Sequence, residues 1–410
     1  MLEAILEATG LDAQQCARLL GVSPTVFAEW AAGQRSIPES YMSLLSDILG
    51  VEVSVLRMSP KQARAQGITD LTPAIWYKFR GEGLVDANRE FVLLIRQLGH
   101  FQNEIEEVTG KRAVGWKTLF EAIRQEVDSQ APAGEQGRKA ARMLRESTGL
   151  GQCATGIGEV FRGNLRRLGL LIIESPIPES QVEGCSFYVG AHPMERPCVF
   201  ANTYHSTWFR RNVVLMHEVG HAIFDATSAA ASLDFVGSGE RVELSEQRAQ
   251  AFAQEALLPR EVLHNIAQSH GIKWTAISAH EFAVLVAETH VEQKLVVRAA
   301  VVAGFITPEQ GNALIDLEIA DQLRQVSERA LSTAEFLERL GEDGNTKLLL
   351  GRRTATIPSR SIRLPVPYVL TVVDALRDGR ISKGKAAQLL MIDKYDLESR
   401  FGDLVETVDD

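Results

Sequence analysis

Apolar positions recur at spacings of three and four along much of the chain, the repeat of helices with one buried side. In FVLLIRQLGHFQNEIEEV, the positions Phe91, Leu94, Ile95, Leu98, Phe101, Ile105 and Val108 fall on one face. The segments Leu244–Pro259 and Ser278–Gly304 show the same repeat. Three shorter apolar runs, Leu168–Glu174, Cys185–Gly190 and Pro197–Asn202, read instead as buried strands. The last two are candidates for a sheet edge to which an extended peptide adds. The stretch from Gly341 to Pro367 reads as a loop with local basic charge from Arg352, Arg353, Arg360 and Arg363. These elements predict an α+β fold, mainly helical, with a small mixed sheet.

Four regions follow: a compact helical unit over 1–57, a helical connector over 58–128, a central domain over 133–310 and a helical carboxy-terminal region over 311–410. SQAPAGEQG, from Ser129 to Gly137, reads as the linker before the central domain. In the first unit, Ala17, Leu19 and Leu20 give one helix its apolar side, and Gly21 supplies a left-handed turn. Ser23 caps the next helix, Pro24 suits its first turn, and Gly33 ends it. The rhythm is helix, turn, helix. It returns near the end of the chain, where Ala387-Gln-Leu-Leu matches Ala17-Arg-Leu-Leu. There Met391 stands in the place of Gly21, which argues against a left-handed turn.

Charge changes how the first unit is read. Residues 1–57 hold seven acids (Glu3, Glu7, Asp12, Glu29, Glu39, Asp47 and Glu52) against Arg18, Arg35 and Arg57. The whole chain carries a formal charge of −10. Nucleic-acid binding needs clustered cations, and the second helix offers Thr25 and Glu29 without a base-reading Arg. Thr25, Gln34 and Arg35 are the candidate DNA contacts, and DNA binding is left open. The balance favours a protein-interaction or regulatory role over tight operator binding. Four separated cysteines (Cys16, Cys153, Cys185 and Cys198) fit free thiols in a reducing cytoplasm. No apolar run reaches the roughly 18 residues of a membrane span, and the start of the chain lacks the features of a signal peptide. A homodimer is left open.

The chemistry centres on VVLMHEVGHAIFDA, Val213 to Ala226. His217 and His221 are four apart, so one helix face aims both imidazoles at one point. That spacing suits zinc, and the adjacent Glu218 suits a general base toward an activated water. A third protein ligand is required. Asp225, Asp234, Glu243, Glu246 and Glu255 are the candidates. In SEQRAQAFAQEALLP, Ala249, Phe252, Ala253, Ala256 and Leu257 form the buried stripe, and Glu246 shares that side. A carboxylate there is costly unless it is paired or bound to a metal. Glu246 is therefore the first choice and Glu243 the second.

The segments RNVVLMHEVGHAIF and SEQRAQAFAQEALLP, with the strands before them, resemble the ImmA/IrrE family of zinc metallopeptidases. The amino-terminal unit, with Trp30, Gly33, Arg35 and Pro38 spaced as W-x-x-G-x-R-x-x-P, resembles Xre/Cro-type helix-turn-helix domains. The resemblance implies a zincin-like core with zinc on His217, His221 and Glu246. It also implies cleavage of a partner helix-turn-helix repressor in a stress, DNA-damage, mobile-element or phage-defence response. Gln250 departs from the Asn or Asp usual in the family, where a carboxylate orients a histidine ligand.

Other roles stay as expectations. Cys185, which follows Gly184, is a candidate inhibitory thiol ligand. His290 is the candidate transition-state stabiliser, with Arg298, Tyr204 and His205 as alternatives. The alternative to an enzyme is a non-catalytic transcription regulator or antitoxin-like binding protein that uses the peptidase fold as a sensor. A small-molecule amidase with the same zinc chemistry is a third reading.

Overall fold

A computed structural model describes residues 1–66 (apart from 10 and 50), 68, 86–176 (apart from 112 and 159), 182–190, 195–225 (apart from 205), 232–235, 244–327, 346–350, 353–357, 364, 366–397 and 401. Four helices open the chain: α1 (Leu2–Thr9), α2 (Ala13–Leu20), α3 (Pro24–Ala31) and α4 (Glu39–Leu49). The long α5 (Asp86–Val108) follows, then α6 (Gly115–Glu126), α7 (Ala133–Ser147) and α8 (Phe161–Leu168). Strands β1 (Leu171–Ser175), β2 (Val182–Val189) and β3 (Arg196–Asn202) lead into α9 (Trp208–Phe224). After β4 (Ser232–Phe235) come α10 (Leu244–Leu257), α11 (Arg260–Ser269), α12 (Ala279–Thr289) and α13 (Gln293–Val302). Near the end of the chain are α14 (Val366–Arg377) and α15 (Lys383–Leu389).

The sheet is mixed, in the order β1-β3-β2-β4. β3 runs parallel to β1 and antiparallel to β2, and β4 pairs antiparallel with β2. Neither β2 nor β3 is therefore a free edge, in contrast to the expectation from their sequences. β4 occupies the place beside β2; its four residues are too few to show a pattern of their own. The stretch expected to be a loop near residue 350 contains two antiparallel strands, β5 (Thr346–Leu350) and β6 (Arg353–Ile357).

The central sheet is buried on both faces, and alternation divides its side chains between two cores. Leu171, Ile173, Cys185, Phe187, Val189, Cys198 and Phe200 join the core shared with α1–α5, α14 and α15. Ile172, Tyr188, Val199 and Ala201 join the core formed with α6–α13. The long α5 crosses the first face at Gly99, where an added methyl would lie 3.1 Å from the Phe187 ring. Arg96 on α5 is buried over that ring, its Cζ 5.1 Å from the centroid. Its Nε donates to the Asp47 carbonyl.

The Asp47 side chain joins three elements. Its Oδ1 accepts from the Gly190 amide at 2.9 Å, and its Oδ2 meets His100 Nδ1 at 2.6 Å. The first helical unit is thus joined to the sheet by buried polar bonds as well as apolar packing. At the other end of this core, Tyr368 donates to the Leu389 carbonyl at 2.6 Å, and Lys385 pairs with Glu104 at 2.6 Å.

The two helix-turn segments end alike. Gly21 has φ 67° and Met391 has φ 54°. The Val22 amide bonds the Ala17 carbonyl and the Ile392 amide bonds the Ala387 carbonyl, each at 3.0 Å. Met391 therefore adopts the left-handed turn its side chain disfavours, because the closing hydrogen bond and the packing of α14 against α15 hold it there.

Candidate metal centre

Helix α9 starts at Thr207, whose Oγ1 accepts from the Arg210 amide at 3.2 Å. Nearly every residue from Val214 to Ile223 is buried, because β2 and β3 cover one side of α9 and α10 covers another. Tyr188 on β2 donates to the Ala222 carbonyl at 2.8 Å. Gly220, between the two histidines, permits the approach of α10: a methyl there would meet the Ala249 Cα at 3.1 Å. That close crossing brings Glu246 to the histidines.

His217, His221 and Glu246 form one group able to hold a metal ion. His221 Nε2 lies 3.0 Å from His217 Nε2 and 3.3 Å from Glu246 Oε1. His217 Nε2 lies 3.2 Å from Glu246 Oε2. Burial alone would lower the pKa of His221, but its bonds to Asp225 and Glu246 outweigh burial and raise it to about 9. Burial opposes ionisation of Glu246, yet the two histidines hold its carboxyl far below the usual range. Without a metal, the proton on His221 balances the Glu246 carboxylate, and a cation at the centre of the three groups would take that proton's place.

Glu218 is fully buried one residue after the first histidine. Gly184 on β2 faces it: a methyl on Gly184 would lie 2.8 Å from Glu218 Oε1 and 2.6 Å from a Val214 methyl. A glycine on the strand thus leaves the room that the carboxylate occupies.

The structure moves several expected residues away from this point. Cys185 follows Gly184 by one position, so the pleat turns it to the opposite face, into the core with Phe187 and Cys198. The expectation of an inhibitory thiol ligand at Cys185 is corrected by that alternation. His290 sits beside the start of α9, its ring centroid 5.2 Å from that of Trp208, and its carbonyl accepts from Asn212 at 2.6 Å. Trp208 and His217 are separated by nine residues, roughly 14 Å of helix, so His290 is not brought to the group as a stabiliser. Burial lowers its pKa. Arg298 is exposed and bonds Gln250 at 3.4 Å. The Tyr204 amide bonds Asn202 Oδ1 at 3.1 Å. Glu243 and His205 lie outside the described residues. Glu255 pairs with Arg142 at 3.7 Å, away from the histidines. Thr25, Gln34 and Arg35 are exposed on the first unit, with Arg35 paired to Glu29 at 3.5 Å.

Asp225, weighed as a ligand from sequence, instead contacts the outer nitrogen of His221, with Oδ2 2.9 Å from Nδ1. Arg248 and Gln136 behind it were not anticipated. Only the four-residue step from His221 to Asp225 was available in the sequence to suggest the contact.

A helix with two converging histidines, an adjacent buried glutamate and a carboxylate from the next helix defines a metallopeptidase-type site. Residues 165–290, which contain all four of these residues, match the family model of the IrrE N-terminal-like domain, peptidase M78. No curated protein and no solved structure matches the chain. Among the described residues, no helix is long and apolar enough to cross a membrane.

Proposed function

We propose that the chain is a zinc-dependent endopeptidase that cleaves a partner helix-turn-helix repressor. The observation that carries this reading is the convergence of His217, His221 and Glu246 beside Glu218. Zinc–nitrogen and zinc–oxygen bonds of about 2.0–2.2 Å in a tetrahedron place neighbouring ligand atoms about 3.3–3.6 Å apart. The three separations of 3.0–3.3 Å are close to that edge, and two imidazoles with one carboxylate are a donor set that zinc accepts. The residues fit the ion.

Zinc, when bound, supplies Lewis acidity toward a peptide carbonyl and makes water a competent nucleophile near neutral pH. Glu218 takes the proton of the attacking water and delivers it to the leaving amine. Its burial keeps the carboxylate from competing solvent, and Gly184 gives it space. His217 and His221 would hold the ion as neutral ligands through Nε2. Glu246 adds one negative charge to the ligand set.

The choice of a repressor as substrate rests on the resemblance to ImmA/IrrE peptidases. The acidic first unit, with its exposed Thr25, Gln34 and Arg35, serves in this reading as a protein-recognition element in a reducing, cytoplasmic setting. Burial raises the Cys16 thiol to about 12 and lifts the Cys198 thiol still further, in keeping with inert free thiols.

The test combines zinc content with cleavage of a helix-turn-helix repressor encoded beside this chain. One zinc per chain, lost in Glu246→Ala, and cleavage abolished in Glu218→Gln with zinc retained, are the expected results. A wild-type protein that binds no zinc would sink the reading and favour the non-catalytic regulator.

A further inference from the structure

His221 has two nitrogens with different tasks, and the second is held by a chain of side chains running away from the metal group. Asp225 Oδ2 lies 2.9 Å from Nδ1. A carboxylate only accepts, so Nδ1 carries a proton toward Asp225. Nε2, which faces His217 and Glu246, is left as the nitrogen that gives up its proton to take a metal. The other carboxylate oxygen, Oδ1, accepts from Arg248 Nη2. Arg248 Nη1 donates to Gln136 Oε1 at 3.1 Å, and Gln136 Nε2 donates to the carbonyls of Ala131 at 2.7 Å and Ser129 at 3.2 Å. The guanidinium also lies over Phe224, 4.6 Å from the ring centroid. α7 approaches close enough for this because Gly137 faces the Arg248 carbonyl with no room for a side chain.

The position of Asp225 argues for a specific task. It caps the carboxy-terminal end of α9, where the helix dipole disfavours a carboxylate. Arg248 offsets that cost. Gln250, on the same helix as Glu246 and Arg248, is exposed and turned to Arg298, away from the histidines. We infer that Asp225, clamped by Arg248 and Gln136, is the residue that fixes the direction of His221 and the nitrogen it presents for metal binding. The inference rests on the metallopeptidase reading above. It makes Arg248 a brace between the two ligand-bearing helices, because it lies two residues beyond Glu246 and reaches back to the end of α9.

The experiment uses the full chain as wild type, Asp225→Asn, Arg248→Met and Gln250→Ala. Zinc dissociation constants are measured by competition with a chromophoric chelator, and urea unfolding is followed on the metal-free proteins. Asp225→Asn is expected to weaken zinc binding about 10- to 100-fold, a larger effect than the loss of metal-free stability that goes with the Arg248 and His221 bonds. Arg248→Met is expected to weaken binding in the same direction by less, and Gln250→Ala to leave it unchanged. Zinc affinity of Asp225→Asn within twofold of a zinc-binding wild type would overturn the inference. So would a loss of affinity matched by an equal loss of metal-free stability, which marks a structural role alone. A wild type that binds no zinc overturns the metal site itself and this inference with it.

Discussion

Gly184 and Glu218 share one small space, in which the glycine's missing methyl is the room for the carboxylate: Oε1 lies 2.8 Å from where that methyl would stand. The strand thereby sets where the proposed base sits. Gly184→Ala is expected to keep zinc while lowering kcat about 10- to 100-fold through displacement of Glu218. Overpacking against Val214 costs about 1–3 kcal/mol. Zinc analysis alongside steady-state kinetics checks this; a variant with wild-type kcat would show that the carboxylate is not set by the strand.

Asp47 holds the first helical unit to the sheet through Gly190 and His100. Asp47→Ala removes the acceptor of both bonds and is expected to cost roughly 3 kcal/mol in urea unfolding. Faster proteolysis between α4 and α5 should accompany it. If unfolding and proteolysis match wild type, the junction contributes nothing to docking.

Met391 carries a left-handed backbone with φ 54°. Met391→Gly relieves that strain and is expected to raise stability by about 1 kcal/mol, net of the extra freedom of the unfolded chain. Gly21→Ala, at the matching turn, should lower stability by about the same amount. The pair of opposite shifts in urea midpoint is the check.

Glu174 on β1 accepts from Arg162 Nε and Nη2, each at 2.8 Å. Burial favours its neutral form, but Arg162 outweighs burial and holds its pKa below the ordinary 4.5. A carboxyl depressed in the folded state contributes stability above its unfolded pKa and loses it as pH falls through the folded value. Metal-free wild type should therefore be more stable than Glu174→Gln at pH 7. The difference should shrink only below about pH 4.5, the ordinary value. Urea midpoints of both proteins across pH 3–7 would test the sign, and a constant difference would refute it.

The convergence of His217, His221 and Glu246 was legible in the sequence because the pattern within each helix is local. Four residues is one helical step, and an inward carboxylate on the next apolar stripe has few other uses. What escaped depended on how elements meet. Cys185 and Gly184 are neighbours in sequence, yet the pleat decides which one faces α9, and the strand pattern alone does not say which face is which. β4 is four residues long, with too little pattern to stand out. Arg248 and Gln136 lie 112 positions apart, and their contact exists only because Gly137 lets two helices close up. Met391 went the other way: a residue preference argued against a turn that packing and a hydrogen bond enforce.

Gly220 stands between His217 and His221 and meets α10 at Ala249. A residue with no side chain to offer the group is thus the spacer of the whole site. A side chain there would leave His217, His221 and Glu246 all present and still push Glu246 outward with its helix, as a hinge wedged ajar. The geometry of the three side chains is in that sense a property of helix spacing, inherited from a position that a list of the group's members would omit.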